Sequence, residues 1–249
     1  MDNAVLQIYL SEHVCIVAIV DASINKLVEI KYFFYTTMGE ISAALSSVLM
    51  VDFKQVKVCF QTEQFVLLPN ETANAKYIFS QLGIDVANDA SILSNEISNK
   101  HIYYIVPNDI IAFFDNRFKA IQWLYGQTGL INRKNQSINK KIVNIYIEQS
   151  ILGIAIKEQS DILFFNLYNI IEKEDVLYYI QLVFKQLALD NETQVINVYG
   201  FIEEQSPIYT LLYDYFRQIE IDRTIKRTAN LLFNDDEQTL NYFVNLLFV

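Results

Sequence analysis

The sequence predicts an α/β protein in which the order β-β-β-α-β-α-β is written twice. Three observations predict it. Strand-like apolar runs open both halves of the 249-residue chain, and Ile8-Tyr9-Leu10 and Val17-Ala18-Ile19 recur 137 positions later as Ile145-Tyr146-Ile147 and Ile154-Ala155-Ile156. A helix-start signal follows each set of runs, Thr37-x-x-Glu40 in one half and Asn169-x-x-Glu172 in the other. Hydrophobic residues make up 52% of the chain, enough to fill the cores of two domains.

The elements follow in order. VLQIYL, VCIVAIV and KLVEIKYFFY are rich in β-branched and aromatic residues and are separated by a few polar positions, the pattern of three consecutive antiparallel strands. IVNIYI, ILGIAI and DILFFNLYNI repeat that pattern. The first helix places Ile41, Leu45, Val48 and Leu49 on one face. The second helix does so with Val176, Leu177, Ile180, Val183, Phe184 and Leu187, and carries Glu172, Glu174 and Asp175 at its positive end. Val56–Phe60 and Val195–Tyr199 are the fourth strands. A helix is expected near Asn70 after Pro69, and another at Ser206 with Pro207 in the first turn. Ile102–Val106 and Gln218–Ile221 are expected as the last strands, so the repeated units span 4–106 and 142–222. Between them Pro107-Asn108-Asp109 starts a bridging helix, and NRKNQSINKK, with Arg133, Lys134, Lys140 and Lys141, reads as a solvated linker. The domains expected are 1–136, with the bridging helix, and 137–249. The latter ends in an amphipathic helix with Leu240, Phe243, Val244 and Leu247 after Asp235-Asp236-Glu237.

This order is that of the ribonuclease H-like unit, and two such units in tandem resemble the actin-like ATPase fold. FVLLPN at 65–70, YYIVPNDIIAFFDNRF at 103–118 and LFFNLYNIIEKEDVLYYIQLVFKQL at 163–187 resemble an uncharacterised Bacteroidetes-type bacterial family with that fold. That family is similar in layout to the actin-like proteins of pilus and secretion assembly platforms. The resemblance covers roughly 4–222 and implies a fold, not a chemistry.

The same resemblance says where nucleotide chemistry would sit. Actin-like ATPases carry an aspartate, one residue, then a glycine in the turn between the first two strands of each half. The acid manages magnesium and water, and the glycine lets amides reach the phosphates. Here those turns are Leu10-Ser11-Glu12-His13 and Ile147-Glu148-Gln149-Ser150-Ile151. Glu148 takes the acidic position of the second turn, without a glycine. The adenosine loop of such folds has a glycine pair after the fourth strand, and only Gly200 matches it. Glu148 and Gly200 are therefore the cofactor-binding candidates if a nucleotide binds.

Composition points away from catalysis. The chain has 6 glycines where the usual ~7% would give about 17, and neither GxxxxGK[ST] nor GxGxxG occurs. Gly126 and Gly129 in YGQTGL are too weak a signal to count. Two-metal nuclease chemistry needs converging carboxylates, but Gln7, Asn144, Phe60 and Tyr199 stand where they would be. His13, Cys15, Cys59 and His101 do not make a metal set, and both cysteines sit inside apolar strands as core residues. No GxSxG is present.

The net charge is −10, and it is uneven: residues 1–141 carry −1 and residues 142–249 carry −9. Such a field repels nucleic acid. No run reaches the ~18 apolar residues of a membrane span, and two cysteines make no disulfide framework, so a cytoplasmic protein is expected. The helix SPIYTLLYDYF buries Ile208, Leu211, Leu212 and Tyr215 on one face, which leaves Tyr209, Tyr213 and Phe216 as a second stripe to be covered either by the C-terminal helix or by a protein partner.

The functional reading is a degenerate, non-catalytic actin-like protein that works through protein–protein contacts. It has no catalytic residues, no metal and no cofactor. Its protein partner is unidentified, and self-association is left open. The alternatives are a nucleotide-dependent switch or a small-metabolite binder, each using the cleft between lobes.

Overall fold

The structure is a computed structural model, and it describes residues 4–23, 26–46, 48, 52–133, 141–148, 150–200 and 202–221. Leu49 and the expected C-terminal helix lie outside these residues. Strands β1 (Ala4–Leu10), β2 (Val14–Asp21) and β3 (Lys26–Phe34) are followed by α1 (Met38–Leu45), β4 (Gln55–Phe60), β5 (Phe65–Leu68), α2 (Ala75–Gln81), β6 (Ala90–Ile97) and β7 (Lys100–Pro107). Then come α3 (Asn108–Asp115), β8 (Ile121–Tyr125) and α4 (Thr128–Asn132). Strands β9 (Lys141–Glu148), β10 (Ile151–Glu158) and β11 (Asp161–Asn169), helix α5 (Lys173–Gln186), β12 (Val195–Gly200), α6 (Pro207–Tyr215) and β13 (Gln218–Ile221) complete the order.

Two five-stranded sheets have the same topology. One runs β3-β2-β1-β4-β8, the other β11-β10-β9-β12-β13. In each, the first three strands are antiparallel and the next two join in parallel. Their inner strands are buried on both faces, which is why β1 and β9 read as near-continuous apolar runs and not as alternations. The repeat reaches a detail with no sequence signature. Both outer hairpins carry a bulge, at Ile19/Val20 against β3 and at Ile156/Lys157 against β11. The extra residues, Val28 and Leu163, are both exposed. The chain divides into two units, 1–128 and 129–248.

The first unit departs from the expected order. Ile102–Val106 is not its last strand. It belongs to β7, the centre of an inserted antiparallel sheet, β5-β7-β6. The strand that completes the five-stranded sheet is β8, and the helix before it is α3, which starts after Pro107 as expected. The inserted sheet buries Phe79 of α2 with Tyr103 and Ile105 on one face, and turns Tyr104 toward Tyr125 of β8, ring centroids 5.5 Å apart. Asn95 of β6 satisfies the outer backbone of β8. Its Nδ2 donates to the Trp123 carbonyl at 2.9 Å and its Oδ1 accepts from the Tyr125 amide at 2.7 Å. Helix α2 starts at Ala75, later than expected. The Thr72 amide donates to the Tyr103 hydroxyl at 2.7 Å, and the Asn74 amide to Thr72 Oγ1 at 3.2 Å, so the stretch after Pro69 is held as a loop.

Two helix starts, those of α1 and α5, are closed by capping boxes. Thr37 and Glu40 make the expected capping box. The second box is three residues later than expected, because Asn169 still belongs to β11. It joins Glu172 with Asp175, whose carboxylate accepts from the Ile171 and Glu172 amides at 2.8 and 3.0 Å. The expected core faces of α1 and α5 are buried at Ile41, Leu45, Val176, Ile180, Val183 and Phe184. The expected polar linker is shorter than NRKNQSINKK. Arg133 is buried, and Lys141 lies in β9 and donates from Nζ to the Leu187 carbonyl at 3.1 Å, while 134–140 lie outside the described residues. Among the described residues no helix is long and apolar enough to cross a membrane.

Candidate functional site

The two hairpin turns and the end of β12 are where the fold would place nucleotide chemistry. In the first unit Leu10 pairs with Cys15, and the Ser11 amide donates to the Val14 carbonyl at 2.9 Å, closing a tight turn. The Tyr35 hydroxyl donates to the Ser11 carbonyl. His13 is exposed, with Nε2 3.7 Å from the Glu12 carboxylate. In the second unit Glu148 pairs with Ile151, so the loop is only two residues long. Glu148 is 4% exposed and its Oε2 accepts from the Tyr146 hydroxyl at 2.8 Å. The i, i+2 spacing puts both side chains on one face of β9, and the acid lies along that strand.

Gly200 ends β12 with φ of +92°, and a Cβ there would lie 2.1 Å from the Ile147 carbonyl oxygen. Glycine is required at this point for backbone packing against β9. At the matching register of the first unit, opposite Leu10, stands Phe60. These residues do not fit a magnesium–triphosphate cradle. The acid is buried and already accepts a hydrogen bond from the Tyr146 hydroxyl, and the side-chain position of the glycine is taken by a carbonyl oxygen, which repels phosphate.

Carboxamides fill the neighbouring positions, and sequence reasoning missed them. At the ends of the parallel strands β1, β4 and β8, the Gln61 amide donates to the Leu10 carbonyl at 2.8 Å and the Gly126 amide to the Phe60 carbonyl at 2.7 Å. Gln127 Nε2 donates to Gln61 Oε1 at 2.9 Å, with both side chains buried. A Cβ on Gly126 would lie 2.6 Å from Gln61 Cα, so the glycine set aside in YGQTGL is a close-approach glycine. In the second unit Asn197 Nδ2 donates to Asn144 Oδ1 at 3.2 Å and Asn144 Nδ2 to the Leu130 carbonyl at 3.3 Å. The Asn144–Asn197 pair could have been found from the parallel register of β9 and β12, whereas no sequence signal pointed to Gln61 and Gln127.

The cysteines are both free and buried, as expected of core residues. Burial pushes the Cys59 thiol up to about 12 and the Cys15 thiol further. Among the described residues no group of three or more His, Cys, Asp or Glu could hold a metal ion.

The aromatic stripe on α6 is only partly a surface. Tyr209 and Tyr213 stack with ring centroids 6.1 Å apart, and Tyr213 is 53% exposed. Phe216 is 0% exposed and packs edge-on against Phe184 of α5 at 5.0 Å, so it is core and not a docking residue. Tyr215, expected in the core, is exposed instead. The helix ends at Tyr215, and extended backbone at Phe216 turns that ring inward. On α5, Tyr178 and Leu182 are exposed one turn apart.

A family model described as "Protein of unknown function (DUF3822)" matches residues 2–219. The chain belongs to the DUF3822 family. No curated protein matches this DUF3822 chain. Among solved structures it is similar to a protein of actin-like ATPase fold and unknown function from Bacteroides thetaiotaomicron, with TM-score 0.80 and 17% identity over 92% of this chain and 93% of that one. It is also similar to a chain of the PilM–PilN type IV pilus biogenesis complex, with TM-score 0.68 and 10% identity over 98% and 97%. A third likeness is to the AlfA filament from a Bacillus subtilis plasmid, with TM-score 0.51 and 11% identity over 98% and 97%. The fold of the DUF3822 chain is the actin-like ATPase fold.

Proposed function

We propose that this chain is an actin-like protein that has lost nucleotide hydrolysis and works by docking another protein on its second unit. The observation that carries the reading is Glu148. It takes the acidic position of the second phosphate turn, and it is buried and hydrogen-bonded to Tyr146, while Glu12 of the first turn is exposed. Docking is supported by the exposed aromatic surface of α5 and α6. Tyr178 and Leu182 of α5 and Tyr213 and Tyr215 of α6 are all exposed, and so are Asp214 of α6 and Glu203 and Glu204 just before it. Residues 142–249 carry a net charge of −9, so the fitting partner presents a basic or neutral face. Tyrosines ringed by charge make good anchors. The likeness to a chain of a pilus biogenesis complex is compatible with such a role.

The test is copurification from native cells with the tagged chain, wild type against Tyr178→Ala with Tyr213→Ala. The expected result is one stoichiometric protein that is retained without added nucleotide and lost from the variant. The variant's stability should stay within roughly 0.5 kcal/mol per site, because both side chains are exposed. A partner whose retention requires ATP would contradict the reading. So would one bound equally by the variant.

A further inference from the structure

The central strands of the sheet β3-β2-β1-β4-β8 are buried on two faces. On one face Ile41 and Leu45 of α1 take the positions that Val176 and Ile180 of α5 take against Ile145 and Ile147 in the second sheet. The other face carries Val5, Gln7 and Tyr9 of β1 opposite Val20, Ala18 and Ile16 of β2, and all six are buried. The described helices of this unit are engaged elsewhere. Helix α3 brings Phe114 to Trp123, which stands opposite Val58 on the α1 side. Helix α2 closes the inserted sheet through Phe79. Among the described residues Gln7 Oε1 is buried without a hydrogen-bond partner. A buried orphan acceptor calls for a partner.

The duplicated sheet shows what belongs on such a face. Asn144 stands opposite Ala155 as Gln7 stands opposite Ala18, and its Nδ2 donates to the Leu130 carbonyl at 3.3 Å. On the same face a Cβ at Gly153 would lie 3.5 Å from Leu130 Cδ2. The second sheet is thus covered there by α4, the segment that leaves β8, the last strand of the first sheet. The segment that leaves β13, the last strand of the second sheet, is 222–249. We infer that this C-terminal segment covers the first sheet, seating Leu240, Phe243, Val244 and Leu247 over Val5, Gln7 and Ala18 and giving Gln7 its partner. Those four residues fall at i, i+3, i+4 and i+7, the spacing of one helical face. Residues 222–239 reach about 60 Å when extended, at ~3.3 Å per residue, which exceeds the width of a domain of this size. Every other stretch outside the described residues is short, the longest being the polar 134–140. Seated on the first sheet, the tail leaves Tyr178 and Tyr213 uncovered for a protein partner.

Photo-cross-linking in the full chain tests this. Phe243→p-benzoylphenylalanine keeps an aromatic ring at the centre of the tail's apolar face. Its cross-links, mapped by peptide mass, are expected in residues 4–20 of the same chain. Hydrogen exchange gives an independent reading. Phe243→Asp with Leu247→Asp should unseat the tail and speed amide exchange about ten-fold or more within 4–20, with α5 and α6 unchanged. Should that double variant fail to fold, the cross-link map decides alone. Cross-links to 207–216 would place the tail on α6 and overturn the inference. So would cross-links into a second copy, none at all, or a folded double variant whose exchange within 4–20 matches the wild type.

Discussion

At Gly200 the backbone has φ of +92°, and the Ile147 carbonyl oxygen occupies the space of a side chain. Alanine there meets a left-handed conformation and a backbone clash together. Gly200→Ala is therefore expected to destabilise the second unit by about 2–4 kcal/mol, read from urea unfolding. A cost under about 0.5 kcal/mol would show that the glycine is free for another use. Gly200 and Glu148 were legible in the sequence as positions, but not as environments. A glycine at a strand end looks alike whether a ligand or a neighbouring strand approaches it. An acid in a turn looks alike whether it faces water or lies along its own strand against Tyr146. Phe216 was misplaced for a related reason. Helical spacing puts it on the tyrosine stripe, but the helix ends one residue earlier, and the ring turns in against Phe184.

The elements themselves were read well where the repeat supported them. The strands of the second unit, α1 and α6 fall where periodicity and caps placed them, and α5 buries the apolar face that periodicity assigned to it. The inserted sheet was not legible, because Ile102–Val106 has the same apolar pattern whether it completes one sheet or centres another. The choice is made by partners distant in sequence: Phe65–Leu68 on one side and Ala90–Ile97 on the other. The second cap was misread by three residues, since both Asn169 and Glu172 offer an acceptor, and strand pairing claims Asn169. Asp175 accepts from the Glu172 and Ile171 amides, and these bonds hold its carboxyl below the usual range. Its folded pKa is depressed, so its contribution is present above the unfolded pKa and lost as the pH falls through the folded one. Asp175→Asn should thus lower the urea midpoint at neutral pH and leave it nearly unchanged at pH values below the carboxylate range. Equal losses at both ends of the pH series would assign the effect to packing and not to the cap's charge.

For the whole molecule, duplication explains what one sequence could disclose. Two copies of the same strand order, each with the same sheet topology and the same bulge, make the actin-like fold readable at 10–17% identity to its solved relatives. The proposed function was less legible, because that reading rests on the surroundings of the turn residues and on which described side chains are exposed. Folding hides or exposes those groups in ways that spacing does not report. The central claim is that this actin-like chain does not run on nucleotide. Calorimetric titration with ATP and magnesium tests it most directly. The account predicts no saturable heat and a dissociation constant weaker than about 1 mM, so that even about 5 mM nucleotide adds no more than ~1 kcal/mol to stability. A saturable isotherm with a dissociation constant in the micromolar range would contradict it.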